Sequence, residues 1–170
     1  MLEADYQKLK NHWQKTLRNT GNRMQYYFLD TSALVKRYHQ EIGTKIIDEI
    51  FDSKEKVVII SNISISELVS ALNRKKNEKE ITQDDLDVVL SKFYSDVMEE
   101  FTVLGIGDNH IISSINLILR HSLKALDSFQ LAIALELEDL NRIFVSADNK
   151  LCETAKKEGL KIINPEGKQR

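Results

Sequence analysis

A single cysteine, Cys152, excludes an internal disulfide framework and fits a reducing compartment. There is one proline, no low-complexity tract and no internal repeat, so neither a Pro-rich linker nor a solenoid is at hand. No apolar run approaches the ~20 residues that a membrane crossing takes. The opening stretch MLEADYQKLKNHWQ lacks the apolar core of a secretory signal. The expectation is a cytoplasmic protein with no membrane contact. Basic excess is also missing: 24 Lys and Arg stand against 26 Asp and Glu, a net charge of -2. Proteins that coat phosphates usually carry a basic surplus. Contact with nucleic acid therefore has to come through a local patch, a metal or a partner's charge.

Several chemical signatures are absent too. No GxxxxGK[ST] loop, GxGxxG, HExxH, CxxC or GxSxG elbow occurs. His12, His39, His110 and His121 have no metal-ligand spacing among them and suit surface or packing roles. Cys152 falls within an expected helix and suits packing.

What is present is an ordinary globular composition, 42% hydrophobic and 29% charged over 170 residues, enough for one domain with a core. Residues 1–23 stand apart. Leu2, Tyr6, Leu9, Trp13 and Leu17 form one helical stripe, broken by NTGN, with five Lys/Arg against two acids. The stripe suits packing on this core or a neighbour's; an RNA-binding arm is the other reading. Met24 offers a second start position, which would make the extension dispensable.

From residue 26 strands and helices alternate. YYFL at 26–29 leads into a helix at 31–39, and IGTKIIDEIFDS makes another. VVIIS at 57–61 is β-branched and unbroken, as a strand buried on both faces should be. A helix follows from 65 to about 76. Leu86, Val89, Leu90, Phe93, Val97, Met98 and Phe101 then keep a helical period, with Thr82 as cap and Asp84, Asp85 and Asp87 on its polar face and first turn. FTVLGI is a strand, Asp108 caps a helix over 109–121, and SFQLAIALEL at 128–137 is a helix apolar almost all round. RIFVS is a strand, NKLCETAKKEG a helix ended by Gly159, and LKII the last strand. This is an α/β sandwich with a mainly parallel sheet of about five strands, whose ligands bind beyond the carboxyl ends of the strands.

Four carboxylates stand out by position. Asp30 ends the first strand, Glu67 follows the second, Asp127 opens the apolar helix and Asp148 follows the strand RIFVS by two residues. Each has an ordinary reading. Asp30, Asp127 and Asp148 suit helix caps, and Ser64-x-x-Glu67 has capping-box spacing. As a set they imply more. Converging carboxylates repel one another, and a hard divalent cation such as Mg²⁺ or Mn²⁺ relieves that repulsion through all-oxygen ligation. Such a site can act on a phosphodiester.

The segments FLDTSALVKRYHQE, ISISELVSAL, LKALDSFQLAIAL and FVSADNKLCETAKKEGL resemble, in that order, the four acidic motifs of the PIN-domain ribonucleases, and within them the VapC toxins of toxin–antitoxin pairs. The likeness runs over residues 26 to 163. It implies a PIN-like three-layer sandwich over residues 24–165, with 1–23 a helical extension and 166–170 a tail. It implies Mg²⁺-dependent endoribonuclease activity, an RNA substrate, a cognate antitoxin and a homodimer. The acidic quartet falls on Asp30, Glu67, Asp127 and Asp148. Ser146 is the hydroxyl helper where the family often has Thr; Thr31 or Ser32 orients Asp30 or the attacking water. Lys124 stands where the family often has Arg or Lys, a few residues before the third acid. The extension departs from the compact family pattern. Arg74, Lys75 and Lys76, within NRKKNEK, are candidate phosphate contacts, or simply cations suited to a helix end.

Two other readings stand beside this one. A catalytically inactive interaction module could share the fold. An α/β phosphotransfer protein also uses a strand-end Asp. The phosphatase pattern, however, needs a second acid two residues on, where Ser32 stands, and no receiver-type acidic pair lies in 25–35.

Overall fold

The computed structural model describes residues 24–137 and 140–167. The stripe expected over residues 1–23, with His12, and the last three tail residues lie outside them. The apolar runs form five strands: β1 (Gln25–Leu29), β2 (Lys56–Ser61), β3 (Phe101–Leu104), β4 (Arg142–Val145) and β5 (Lys161–Ile163). They pair in the order β3-β2-β1-β4-β5, and every pairing is parallel. The described helices are α1 (Thr31–Leu34), α2 (Thr44–Asp52), α3 (Asn62–Asn77), α4 (Gln83–Glu99), α5 (Asp108–His121), α6 (Ala125–Glu136) and α7 (Asn149–Lys157).

Alternate side chains of each central strand enter opposite layers, as the period of two requires. Leu29, Val58, Ile60 and Val145 pack with Leu34, Ile47, Leu68 and Phe93 from the first four helices. Phe28, Ile59 and Phe144 pack with Leu117, Leu131, Ile133 and Leu151 from the last three. Phe28 and Phe144 stack across β1 and β4, their centroids 5.8 Å apart. The expected three-layer α/β sandwich is the fold that forms.

The differences from expectation are local and have physical causes. Ser61 ends β2 and also caps α3, accepting the Ser64 amide at 3.2 Å. No loop intervenes, so the helix begins at Asn62, three residues earlier than its apolar spacing suggested. The helix expected over 31–39 is a single turn, α1, continued by a 3-10 turn over Val35–Arg37. Asp108 is the first residue of α5 rather than its cap; Gly107 holds that position, its amide bonded to His110 Nδ1 at 2.9 Å. Asp127 likewise is not a cap, since α6 begins at Ala125 after Lys124. Met98 points to solvent and Phe101 belongs to β3, so neither continues the buried stripe of α4. Thr82 and Asp85 close the capping box at the start of α4.

Two further features lie around the core. Lys36 is buried, its Nζ shared by Glu41 at 2.8 Å and by Glu166. Helix α5 is apolar on two sides. Leu117 faces the core, whereas Ile111, Ile112, Ile115 and Leu119 lie exposed on the opposite face.

The topology has one point where the chain reverses its order of strand addition, between β1 and β4. Leu29 pairs with Val145 there. The Asp30 amide bonds to the Val145 carbonyl at 2.9 Å, and the Ser146 amide to the Ile163 carbonyl at 3.1 Å. Asp30 and Ser146 therefore lie side by side just past the carboxyl ends of the central strands, in the crevice where open parallel sheets take ligands.

Candidate functional site

Asp30 is 5% exposed. Its Oδ2 accepts from Ser32 Oγ at 2.6 Å and from Ser146 Oγ at 2.9 Å, and caps α1 through the Ser32 amide at 3.3 Å. Ser32 Oγ accepts from the Ala147 amide and Ser146 Oγ from the Asp148 amide, at 2.9 and 3.1 Å. Both hydroxyl hydrogens are thereby turned towards Asp30. Oδ1 has no hydrogen-bond partner among the described residues. Burial pushes the carboxyl up to about 6 from an ordinary 3.8, against the two serine bonds and with the charges of Glu67 and Asp127 adding to the rise.

Glu67 sits in the second turn of α3, too far from the helix start for the capping box its spacing suggested. Its Oε2 accepts instead from Thr31 Oγ1 at 2.6 Å and from Gln130 Nε2 at 2.9 Å. Thr31 thus belongs to Glu67, while Ser32 belongs to Asp30. Asp148 caps α7, its Oδ1 accepting from the Leu151 amide at 2.8 Å. Asp127, in the first turn of α6, is half-buried. Its carboxyl is raised by burial and by the charges of Asp148 and Glu67, while Lys124 and Lys150 pull it down. The four acids of the sequence pattern therefore share one electrostatic neighbourhood. Among the described residues none of them is ion-paired to a lysine, arginine or histidine.

The donor set is all oxygen, and Asp30, Glu67 and Asp148 repeat one arrangement. One oxygen of each is bonded to the protein, and no partner among the described residues takes the other. A hard divalent cation matches that chemistry and that uncompensated charge. Among the described residues, however, no three Asp, Glu, His or Cys side chains are gathered closely enough to hold one ion as they stand. The fit is one of donor type and charge.

The basic candidates divide. Lys124, at the head of α6, and Lys150, in α7, act on Asp127. Arg74, Lys75 and Lys76 lie in the last turn of α3, about two turns beyond Glu67 on the same helix. Lys75 is already occupied by Glu80 at 3.0 Å and Glu41 at 3.4 Å. The described histidines pair with glutamates, His39 with Glu80, His110 with Glu136 and His121 with Glu158. Cys152 is buried; its thiol donates to the Ser146 carbonyl and is pushed up to about 11, chiefly by burial, the profile of an inert cysteine.

Gln130 and Lys150 are not singled out by the sequence, and Ser64 is singled out only as a helix cap. Gln130 was detectable as the one amide in an otherwise apolar stretch of α6, three residues after Asp127 and so on the same helix face. Ser64 carried the signal of a capping box that α3 does not form. Nothing marked Lys150 among the other lysines of its helix.

The PIN domain family model matches residues 27–157. No curated protein matches the sequence. Among solved structures, the fold is similar to that of PAE2754 from Pyrobaculum aerophilum, with 21% identity, 81% of this chain and 83% of that one covered, and a TM-score of 0.59. VapC20 from Mycobacterium tuberculosis, a sarcin–ricin loop cleaving toxin, matches at 15% identity over 81% of this chain and 97% of its own, with a TM-score of 0.59. A toxin–antitoxin complex from Klebsiella pneumoniae contains a chain 19% identical, covering 82% of this chain and 97% of that one, with a TM-score of 0.52.

Proposed function

The chain belongs to the PIN domain family, and from that premise we propose that it is a Mg²⁺-dependent endoribonuclease acting as the toxin of a toxin–antitoxin pair. The observation that carries the nuclease reading is Asp30: buried, without a cationic partner among the described residues, one oxygen tied by two serines and the other left over. A carboxylate in that state suits a cation.

In this reading Asp30, Glu67 and Asp127 would hold Mg²⁺, or Mn²⁺ in its place, and Asp148 would assist or hold a second ion. The ion, when bound, supplies positive charge to the scissile phosphate and makes a water more acidic. Ser32 and Ser146 keep Asp30 oriented, and Thr31 does the same for Glu67. Water attacks phosphorus in line and the bond to the leaving oxygen breaks; the water gives up a proton to solvent, the leaving oxygen takes one from solvent, and no covalent enzyme intermediate forms. Lys124 and Lys150 face the backbone of the RNA. Similarity to a sarcin–ricin loop cleaving toxin supports RNA as substrate, and similarity to a toxin–antitoxin complex supports an antitoxin partner. The catalytic domain is residues 24–165, with 1–23 a separable extension and 166–170 a tail. A homodimer is supported by the exposed stripe of α5, since an aliphatic helix face can pair with its own two-fold copy.

The test is cleavage of a structured RNA with Mg²⁺, with EDTA, and by Asp30→Asn. Loss in EDTA and in the variant, with the fold retained, is the expected result. Full activity in either rules the proposal out. Specific Mn²⁺ uptake by the wild type separates the nuclease from an inactive module of the same fold.

A further inference from the structure

We infer that Gln130 is a positioning residue of this site, whose side-chain amide holds Glu67 so that one carboxylate oxygen is fixed and the other stays open to a cation. The inference rests on the reading of the acidic cluster as a cation site. Gln130 is 1% exposed and lies in a helix whose other buried positions are mostly Leu, Ile and Ala. A buried amide in such a place has to find partners, and every partner it has belongs to this corner of the molecule. Nε2 donates to Glu67 Oε2 at 2.9 Å, to Ser64 Oγ at 2.9 Å and to Thr31 Oγ1 at 3.1 Å; Oε1 accepts from Ser64 Oγ at 3.3 Å.

The arrangement has a direction. Two amide hydrogens serve two acceptors at a time. The Thr31 hydroxyl already points its own hydrogen at Glu67 Oε2, so the better use of the amide is one bond to Glu67 and one to Ser64. Glu67 Oε2 then receives two donors, from two elements other than its own helix. That leaves its carboxylate little freedom to rotate, and it leaves Oε1 as the oxygen available to a ligand. Because Gln130 follows Asp127 by three residues, one turn of α6 presents both an acid and the prop for a second acid to the same crevice. A residue that only filled space there would be better as leucine. Residues of this kind, bonded to a ligand rather than being one, typically change metal affinity 10–100-fold when removed.

The test is Mn²⁺ affinity, read by water-proton relaxation, for four chains: wild type, Gln130→Met, Glu67→Ala and the double variant. Circular dichroism and thermal unfolding in EDTA establish that each is folded; Gln130→Leu takes the place of Gln130→Met if that one is not. The expected result is that Gln130→Met weakens Mn²⁺ binding tenfold or more, yet adds nothing further once Glu67 is alanine. Wild-type affinity in Gln130→Met, or the same loss repeated in the Glu67→Ala background, overturns the inference while leaving the nuclease reading in place. A wild type that takes up no Mn²⁺ overturns both.

Discussion

Ser146, at the end of β4, donates its hydroxyl hydrogen to Asp30, at the end of β1, across 2.9 Å. The two residues are 116 positions apart in sequence, and the pairing of Leu29 with Val145 sets them side by side. The electrostatics of Asp30 follow from that position, and with them the first prediction.

In metal-free buffer Asp30 should make the protein less stable as pH rises. The unfolded carboxyl loses its proton near 3.8, the folded one near 6. Between these values the folded state holds the extra proton, so stability falls with rising pH through that window. The difference between the two values corresponds to roughly 3 kcal/mol above pH 6. Asp30→Asn, which cannot ionise, should escape the loss. Urea unfolding of both proteins in EDTA at several pH values checks this. Curves for wild type and variant that stay parallel from pH 4 to 7.5 contradict it.

Ser146→Ala removes a donor from Asp30 and an acceptor from the Asp148 amide. Loss of a buried bond to a charged group costs about 2 kcal/mol, and cleavage should drop at least tenfold. Thermal unfolding and initial rates on one RNA substrate measure the two effects separately.

Lys124 and Lys150 should matter to RNA and Lys75 should not. The first two act on Asp127, and among the described residues Lys150 donates only to the neutral Ser122 carbonyl, whereas the charge of Lys75 is offset by Glu41 and Glu80. Alanine at Lys124 or Lys150 is expected to weaken RNA binding across sequences and to lower the salt slope by about one for each phosphate no longer neutralised. Fluorescence anisotropy at several salt concentrations reads this directly. An equal effect from Lys75→Ala points instead to the end of α3 as the RNA surface.

The outward stripe of α5 should set the oligomeric state. Ile112 and Leu119 are 64% and 77% exposed, so lysine at either position should leave the fold intact. The expected outcome is a change from dimer to monomer in light scattering. A wild type already monomeric at high concentration removes the proposed homodimer.

The positions of Asp30 and Asp148 relative to the strands could be read from sequence because each depends on local pattern: an apolar run, then a carboxylate, then a helix. The runs of the central strands β1, β2 and β4 were legible for the same reason, since largely buried β-branched and aromatic residues leave little ambiguity. What stayed hidden depends on contacts across the fold. Whether Thr31 or Ser32 serves Asp30 is decided by where α3 and β4 lie, which brings Glu67 to one hydroxyl and Ser146 to the other. Lys75 looked free because the acids that occupy it, Glu41 and Glu80, come from other turns of the chain. The start of α3 was misplaced because one serine serves two elements, and no spacing of apolar residues marks that.

The crevice is framed by main-chain bonds, from the Asp30 amide to the Val145 carbonyl and from the Ser146 amide to that of Ile163. Such bonds do not depend on which side chains the strands carry. The place where Asp30 and Ser146 lie is therefore set by the order of the strands rather than by the residues those strands carry. Identities of only 15% and 21% to chains of the same fold are what such a frame permits.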